Sequence, residues 1–459
     1  MAKICVAGGG PAGLLLAAKL AEQGFQVHLF EKKARDDYGK MHDWSDALEI
    51  DILHDAGLPV PRMDGAWFRG AGVKGDDTPG LYERHRVSQL AVFSPDYSER
   101  AVVDADFRHV LVDRHRLRDY QIAQAERAGV VFHYGCAVTG LLGRTEGALE
   151  KVCVTGLRYR QDGAESEMQA DLVVEATGQV AEVRALLGAG EIAEPFNQNE
   201  YGYAYRTVRK FDPSRVGESK IPFVEHYRLR SDRGYLFVHF HDSDIVDIGG
   251  GARDPVPNAM ARQTVLDTLE AYPQVSGEEL RGGEDRNLKC MPPDSLAAGG
   301  ILVVGHAGAQ INPTQGCGIA SGYSGALLAA QVIREAEDFG LAGLWAYNHR
   351  WFTGKGAHYA ALYEKMKRIA AYTQADLCFL LRENIMNGQA LTNDYHGHFV
   401  PLDTDETRRL RDARPRSPET VDRWIDSYTA GKAVWDHYQT FPQSWDRGAF
   451  DIWRSGKRK

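Results

Sequence analysis

Residues 1–31 read MAKICVAGGGPAGLLLAAKLAEQGFQVHLFE, and this stretch decides the fold. Lys3–Ala7 (KICVA) is a short apolar run closed by glycines, the pattern of a buried strand. A helix over residues 11–23 follows, with Pro11 in the first turn, where its missing N–H costs nothing. Leu14, Leu15, Ala17, Ala18 and Ala21 give that helix an apolar face, and Gly24 stops it. Residues 26–30 (QVHLF) form a second strand that ends at Glu31. Strand, glycine turn, helix and strand together have the length of a βαβ unit. The turn carries Gly8-x-Gly10-x-x-Gly13, in which the glycines serve a tight turn, close approach of a pyrophosphate, and helix–strand packing. Pro11 and Ala12 open the helix, whose free N–H groups and dipole then point at the diphosphate. Glu31 is placed to accept hydrogen bonds from ribose hydroxyls, with Lys32 beside it, and an acid there disfavours the 2′-phosphate of NADP. A glycine string alone is weak; between a strand and a helix, with the acid after the next strand, it marks a dinucleotide site. NAD and FAD fit it equally.

The remaining chain is long enough for two or three domains. A formal charge of -9 over 459 residues argues against nucleic acid, since phosphate binding needs concentrated Lys and Arg. The basic cluster Arg454, Lys457, Arg458 and Lys459 reads as a frayed, solvated tail. The 6 cysteines form no CxxC pair, so no metal site is expected, and they suit a reducing cytoplasm. His239-x-His241 share a strand face but lack a third ligand, because Asp242 points away. No apolar run reaches the roughly 18 residues that a membrane span requires, which makes the chain soluble and cytoplasmic by expectation. A helix from Arg114 to Ala128 and a strand VVFHY continue the α/β pattern, with further strands at 150–159 and 170–175. The pattern returns at 300–337 as a buried strand (ILVVG) and a helix from about Cys317 to Ala336. Between them YGYAYRTVRKF, FVEHYRLR, GYLFVHF and IVDIGGG read as consecutive antiparallel strands. The expected class is α/β: a discontinuous Rossmann-type domain (1–60, 100–190 and 285–340), an antiparallel β-sheet substrate domain (61–99 and 191–284), and a helical, aromatic-rich C-terminal region (341–459).

Two later segments separate FAD from NAD by resemblance. Asp171–Gly178 (DLVVEATG) resembles the strand and turn that close the nucleotide domain of two-dinucleotide flavoproteins. Gly305–Gly318 (GHAGAQINPTQGCG) resembles their late FAD motif, and Val112–Arg118 (VDRHRLR) their middle segment. In this order the segments resemble the superfamily of p-hydroxybenzoate hydroxylase-type monooxygenases and geranylgeranyl reductases, over roughly residues 1–335. The resemblance implies FAD as cofactor, with Arg114 near it and Ala137 and Val138 covering the adenine. It also implies contacts from Gly178, Gly305, His306, Pro313, Gly316, Cys317, Gly318 and Ile319. Where relatives carry Gly-Asp this chain has Gly305-His306; histidine can make the same ribityl hydrogen bond. Covalent attachment through His306 or Cys317 is the other chemistry that these residue types allow.

The resemblance leaves the reaction open between two enzymes. As a monooxygenase, the protein would oxygenate a hydrophobic or aromatic small molecule through a flavin hydroperoxide, and this is the expected activity. As a geranylgeranyl-reductase-like enzyme it would saturate C=C bonds by hydride transfer. Gly234–Phe240 (GYLFVHF) and IVDIGGG suit the reductases, but their usual Trp and Pro are missing, and so is their early cysteine. A non-catalytic flavin-fold binding protein is a third reading. In the superfamily the 42–45 loop runs near the isoalloxazine ring. His42 and Trp44 are therefore catalytic candidates, His42 as a proton carrier beside Asp43, with Tyr235 facing the flavin from the sheet. No second GxGxxG unit is present, so the reductant is NAD(P)H bound transiently or a separate reduced donor. A reductase partner and an oligomer are both compatible with the sequence.

Overall fold

The structure, a computed structural model of the 459-residue chain, describes all residues except 38–44, 62, 65–66, 69–80, 83–84, 87–89, 104–108, 197–200, 219–225, 231–233, 243, 254–257, 289 and 458–459. The chain opens with β1 (Lys3–Ala7), α1 (Pro11–Glu22) and β2 (Gln26–Glu31). The same domain later receives α2 (Arg114–Ala128), β3 (Val131–Tyr134), β4 (Leu172–Glu175), β5 (Ile301–Val303) and α3 (Ile319–Glu335). The five strands run parallel in the order β3-β2-β1-β4-β5, and the short strand Ala297–Ala298 adds antiparallel at the edge of β5. Ile4 to Ala7 and Leu172 to Glu175 are buried throughout, as strands covered on both faces must be, which is why they read as unbroken apolar runs. Asp113 caps α2 by accepting from the His115 and Arg116 amides (2.9 and 3.0 Å), and Gly129 ends it in the left-handed conformation at φ +96.

A seven-stranded sheet forms the second layer. Its order is Glu279–Leu288, Tyr201–Lys210, Ile245–Arg253, Tyr235–Asp242, His226–Leu229, Ala91–Phe93 and Arg100–Val102. The consecutive arrangement expected from sequence is corrected here, because Tyr201–Lys210 pairs with Ile245–Arg253 and not with its successor His226–Leu229. All pairs are antiparallel except His226–Leu229 with Ala91–Phe93. The triple glycine explains how the sheet stays thin at its centre. A Cβ on Gly249 would lie 2.0 Å from the Phe237 ring, and one on Gly251 2.2 Å from the Tyr235 ring. On the opposite face a Cβ on Gly250 would meet the Ala261 carbonyl at 2.4 Å, so the helix Asn258–Ala271 presses directly on backbone.

The C-terminal third is helical: α4 (Leu341–Thr353), α5 (Lys355–Ile369), α6 (Gln374–Arg382), α7 (Gly388–Tyr395), α8 (Thr404–Ala413), α9 (Pro418–Tyr438) and α10 (Arg447–Lys457). Trp345, Phe352, Phe441, Phe450 and Trp453 interlock in one aromatic core. The frayed tail expected at the C-terminus is corrected by α10, whose Phe450 and Trp453 are buried. Arg454 pairs with Asp294 (2.9 Å) and Glu191 (3.0 Å), and Lys457 with Asp294 (2.8 Å). The basic residues repeat on one helix face and dock it on the nucleotide domain. No helix among the described residues is long and apolar enough to cross a membrane.

Candidate active site

The β1–α1 turn is shaped by close approach. Gly8 sits at φ +103, where a Cβ would lie 2.4 Å from the Ala176 carbonyl, and a Cβ on Gly13 would lie 2.2 Å from the Gly8 carbonyl. At Gly10 nothing stands within 4 Å of a Cβ position, and α1 begins there without a side-chain cap. This leaves an open cradle lined by backbone N–H groups. Glu31 closes it, its carboxylate accepting from the Gly9 amide (3.0 Å) and the Lys33 amide (2.9 Å). Lys32 instead reaches Glu182 (2.8 Å) in an exposed pair. The Cys136 amide donates to the Glu31 carbonyl (2.9 Å), which sets Ala137 and Val138, half-buried, beside the end of β2. Gly178, at φ +79, also faces open space, next to the turn at Gly305–Gly308.

The late motif lies across the cradle. β5 delivers the chain to Gly305, whose amide donates to Gln310 Oε1 (2.6 Å), and Gln310 in turn donates to the Tyr347 hydroxyl (2.8 Å). The His306 ring covers Gly318: a Cβ there would stand 1.8 Å from Nε2. His306 Nε2 is buried with no hydrogen-bond partner among the described residues. Burial, with Arg114 nearby, lowers its pKa to about 4, so the ring is neutral and keeps one unused nitrogen. Gly318 starts α3, again without a side-chain cap. Gly316, at φ +75, returns its amide to the Asn312 carbonyl (2.9 Å). Burial pushes the Cys317 thiol up to about 12, so it stays protonated. Ile319 packs partly buried against the core.

Arg114, at the start of α2, grips Asp46 through Nε and Nη2 (3.1 Å for the latter). Asp46 stands on the strand Ser45–Glu49, which pairs with His109–Asp113. Beyond it lie Arg206 (4.0 Å from Asp46), then Asp247, bound by Arg206, then His241 (3.5 Å from Asp247). Burial opposes the charge on Asp247, but Arg206 outweighs it and holds the carboxyl well below its usual range. Sequence reasoning missed Asp46, Arg206 and Asp247. For Arg206 and Asp247 the available signal was a charge among aromatic or aliphatic strand neighbours (YAYR and IVDI), which needs an opposite charge when buried.

Two cavities adjoin the late motif. The larger, about 210 Å³, has a floor of Leu90, Val92, Tyr227, Leu229 and Tyr235 and a roof of Met366, Ile369, Ala370, Leu377 and Leu391. Pro313, Thr314 and Gln315 of the late motif form one end. Tyr235 is thus on the cavity wall, whereas His42 and Trp44 lie outside the described residues. The roof is tied to the late motif: Asn312 (2.8 Å) and Gln315 (2.5 Å) donate to the Tyr395 carbonyl, and Thr314 (2.6 Å) to that of Asp394. Lys365, 1% exposed, donates to both Asp394 oxygens (2.8 and 2.7 Å) and to the Tyr428 hydroxyl (2.9 Å). The smaller cavity, about 30 Å³, lies between Glu49, His109, Cys317, Ser321, Tyr359 and His396.

An open glycine cradle, two uncapped helix starts and an orphaned buried nitrogen between them fit a flavin dinucleotide. Residues 1–234 match the FAD binding domain family. This chain belongs to that family. It is an FAD-dependent oxidoreductase with a Rossmann-type nucleotide domain. Digeranylgeranylglycerophospholipid reductase of Sulfolobus acidocaldarius is 23% identical over 84% of this chain and 82% of its own length. A geranylgeranyl bacteriochlorophyll reductase-like protein from Thermoplasma acidophilum superposes with a TM-score of 0.71 at 19% identity, covering 93% of this chain and 99% of that one. The flavin-dependent brominase Bmp2 shares the fold at a TM-score of 0.56 and 15% identity, over 100% and 98% of the two chains.

Proposed function

We propose that this enzyme saturates carbon–carbon double bonds in an elongated apolar substrate. The observation that carries the reading is the apolar cavity, roofed by the C-terminal helices and ending on Pro313–Gln315 of the late motif. The higher TM-score to the geranylgeranyl bacteriochlorophyll reductase-like protein (0.71) than to the brominase Bmp2 (0.56) supports the same reading.

When bound, FAD supplies the hydride. Gly8, Gly10, Pro11, Ala12 and Gly13 hold the diphosphate, Glu31 and Lys32 the ribose side, and Ala137, Val138 and Gly178 flank the adenosine. Gly305, His306 and Gly316–Ile319 would hold the ribityl and ring side, where the uncapped start of α3 would favour negative charge. Arg114 would act through Asp46, fixing the strand Ser45–Glu49 against His109–Asp113. The cavity walls exclude water and orient the alkene, and Tyr235 flanks it. The reductant is NAD(P)H bound transiently or a separate donor, and free thiols at all 6 cysteines fit a cytoplasmic setting.

Oxygenation is the second reading, favoured by the aromatic lining of Tyr227, Tyr235, Tyr372 and Tyr395. Photoreduced holoenzyme mixed anaerobically with geranylgeraniol should yield a product two mass units heavier. Label from ¹⁸O₂ in the product, with no anaerobic saturation, would instead establish the oxygenase.

A further inference from the structure

The smaller cavity is not part of the cofactor cradle or of the apolar chamber, yet it touches both. Glu49 Oε1 and His396 Nδ1 are 2.8 Å apart, with side chains 34% and 29% exposed, so this pair forms its mouth. Inside lie the Ser321 and Tyr359 hydroxyls, hydrogen-bonded to each other at 2.8 Å, and Lys355, whose Nζ donates to Ser324 (2.7 Å). A volume of about 30 Å³ holds at least one water, which needs about 10–15 Å³ and several polar neighbours.

Its inner wall is shared. Gln315 and Tyr395 line this cavity and the apolar one alike. Tyr395 makes a side-chain hydrogen bond to Tyr227, and Tyr227 faces the apolar chamber. Burial raises the Tyr227 pKa, so it keeps its proton until a stronger base forms beside it. On the same wall Arg230 does not deprotonate, both Asp394 oxygens are held by Lys365 (2.8 and 2.7 Å), and the Tyr372 hydroxyl donates to the Thr420 carbonyl (3.5 Å); Tyr235 shares the wall but not the hydrogen bond to Tyr395 that supplies Tyr227.

We propose that the small cavity is a proton port, in which Glu49 and His396 collect a solvent proton and pass it through a bound water and Tyr395 to Tyr227, the donor to the substrate. The inference rests on the double-bond-saturating reading. One alkene carbon receives hydride from the reduced flavin and the other receives the Tyr227 hydroxyl proton. The phenolate regains a proton from Tyr395, which regains its own from the cavity water and then from the His396–Glu49 pair. No further oxidant or reductant is required. Glu49, His396 and Tyr395 are positioning residues, and Tyr227 is the proton donor.

The test is single-turnover reduction of geranylgeraniol by photoreduced holoenzyme, with FAD affinity measured in every variant by flavin fluorescence. Tyr227→Phe should slow turnover about a hundredfold, the lower end for a positioned general acid. Tyr395→Phe, Glu49→Gln and His396→Gln should each slow it about tenfold, with FAD affinity unchanged. The solvent deuterium isotope effect, whose hydride share is common to all proteins, should grow in the variants. A crystal structure of the holoenzyme should show ordered water bonded between the Glu49–His396 pair and Tyr395. Normal rates and isotope effects in the variants, or a dry cavity, would overturn the port while leaving the reductase reading intact. No saturation by the wild-type protein would overturn both.

Discussion

Gly318 and His306 form the tightest contact in the flavin cradle, and they set the first expectation. A methyl group on Gly318 would lie 1.8 Å from His306 Nε2. Overpacking of this kind costs about 1–3 kcal/mol, so Gly318→Ala should weaken FAD binding by about tenfold or more. Adding His306→Ala removes the clash, so the melting temperature should recover; on the proposal that His306 bonds the ribityl chain, FAD affinity should not. Fluorescence titration and thermal melts of both variants separate the two effects. A second expectation concerns acid. Burial lowers the pKa of His306 to about 4 and that of His109 to about 3, both below the 6.5 of the unfolded chain. The unfolded state therefore binds more protons between about pH 6.5 and 3. The stability these rings contribute is complete above that window and falls as pH drops through it, by a few kcal/mol on the order-of-magnitude scale of such shifts. His109→Gln should flatten the decline of apoprotein stability between pH 6.5 and 4.

At the level of elements, α5 and α7 are locked together at one buried ion pair. Burial opposes the Lys365 charge, but Asp394 and Tyr428 outweigh it and hold the pKa above its ordinary value. Lys365→Met strands Asp394 and should cost about 3–5 kcal/mol in urea unfolding, whereas Lys365→Met with Asp394→Leu should regain most of the loss. Because the Asp394–Tyr395 carbonyls receive Thr314, Asn312 and Gln315, the single variant should also loosen FAD. This tie between roof and cofactor loop could not be read from the sequence. The nucleotide domain could: β1, α1, β2 and α2 obey local periodicity and capping, and α2 was legible to its first and last residue. Glu279–Leu288 (ELRGGEDRNL) escaped because its charges and glycines carry no strand propensity, and it is a strand only through its ladder with Tyr201–Lys210. Asp46 and Arg206 escaped for a related reason, since their partners lie far away in sequence and only the folded chain pairs them.

Across the whole molecule, the C-terminal helix docks on residues far back in the chain, Glu150, Glu191 and Asp294. Phe450 is fully buried in the aromatic core, while Ile452, two residues on, is 75% exposed. Phe450→Ala should therefore cost about 3–5 kcal/mol, and Ile452→Ser should stay within about 0.5 kcal/mol, both measured by equilibrium unfolding. The same long reach governs the central sheet. β4 ends at Glu175, but β5, its neighbour, begins only at Ile301. On a ribosome adding about 5–20 residues per second, roughly ten seconds separate the two. Throughout that interval a nascent chain presents the apolar strand LVVE with one edge unpaired, an invitation to wrong partners. Chains stalled short of residue 300 should be cleaved by protease within β1, β2 and β4. Sheltering that edge during synthesis should therefore raise the yield of finished enzyme.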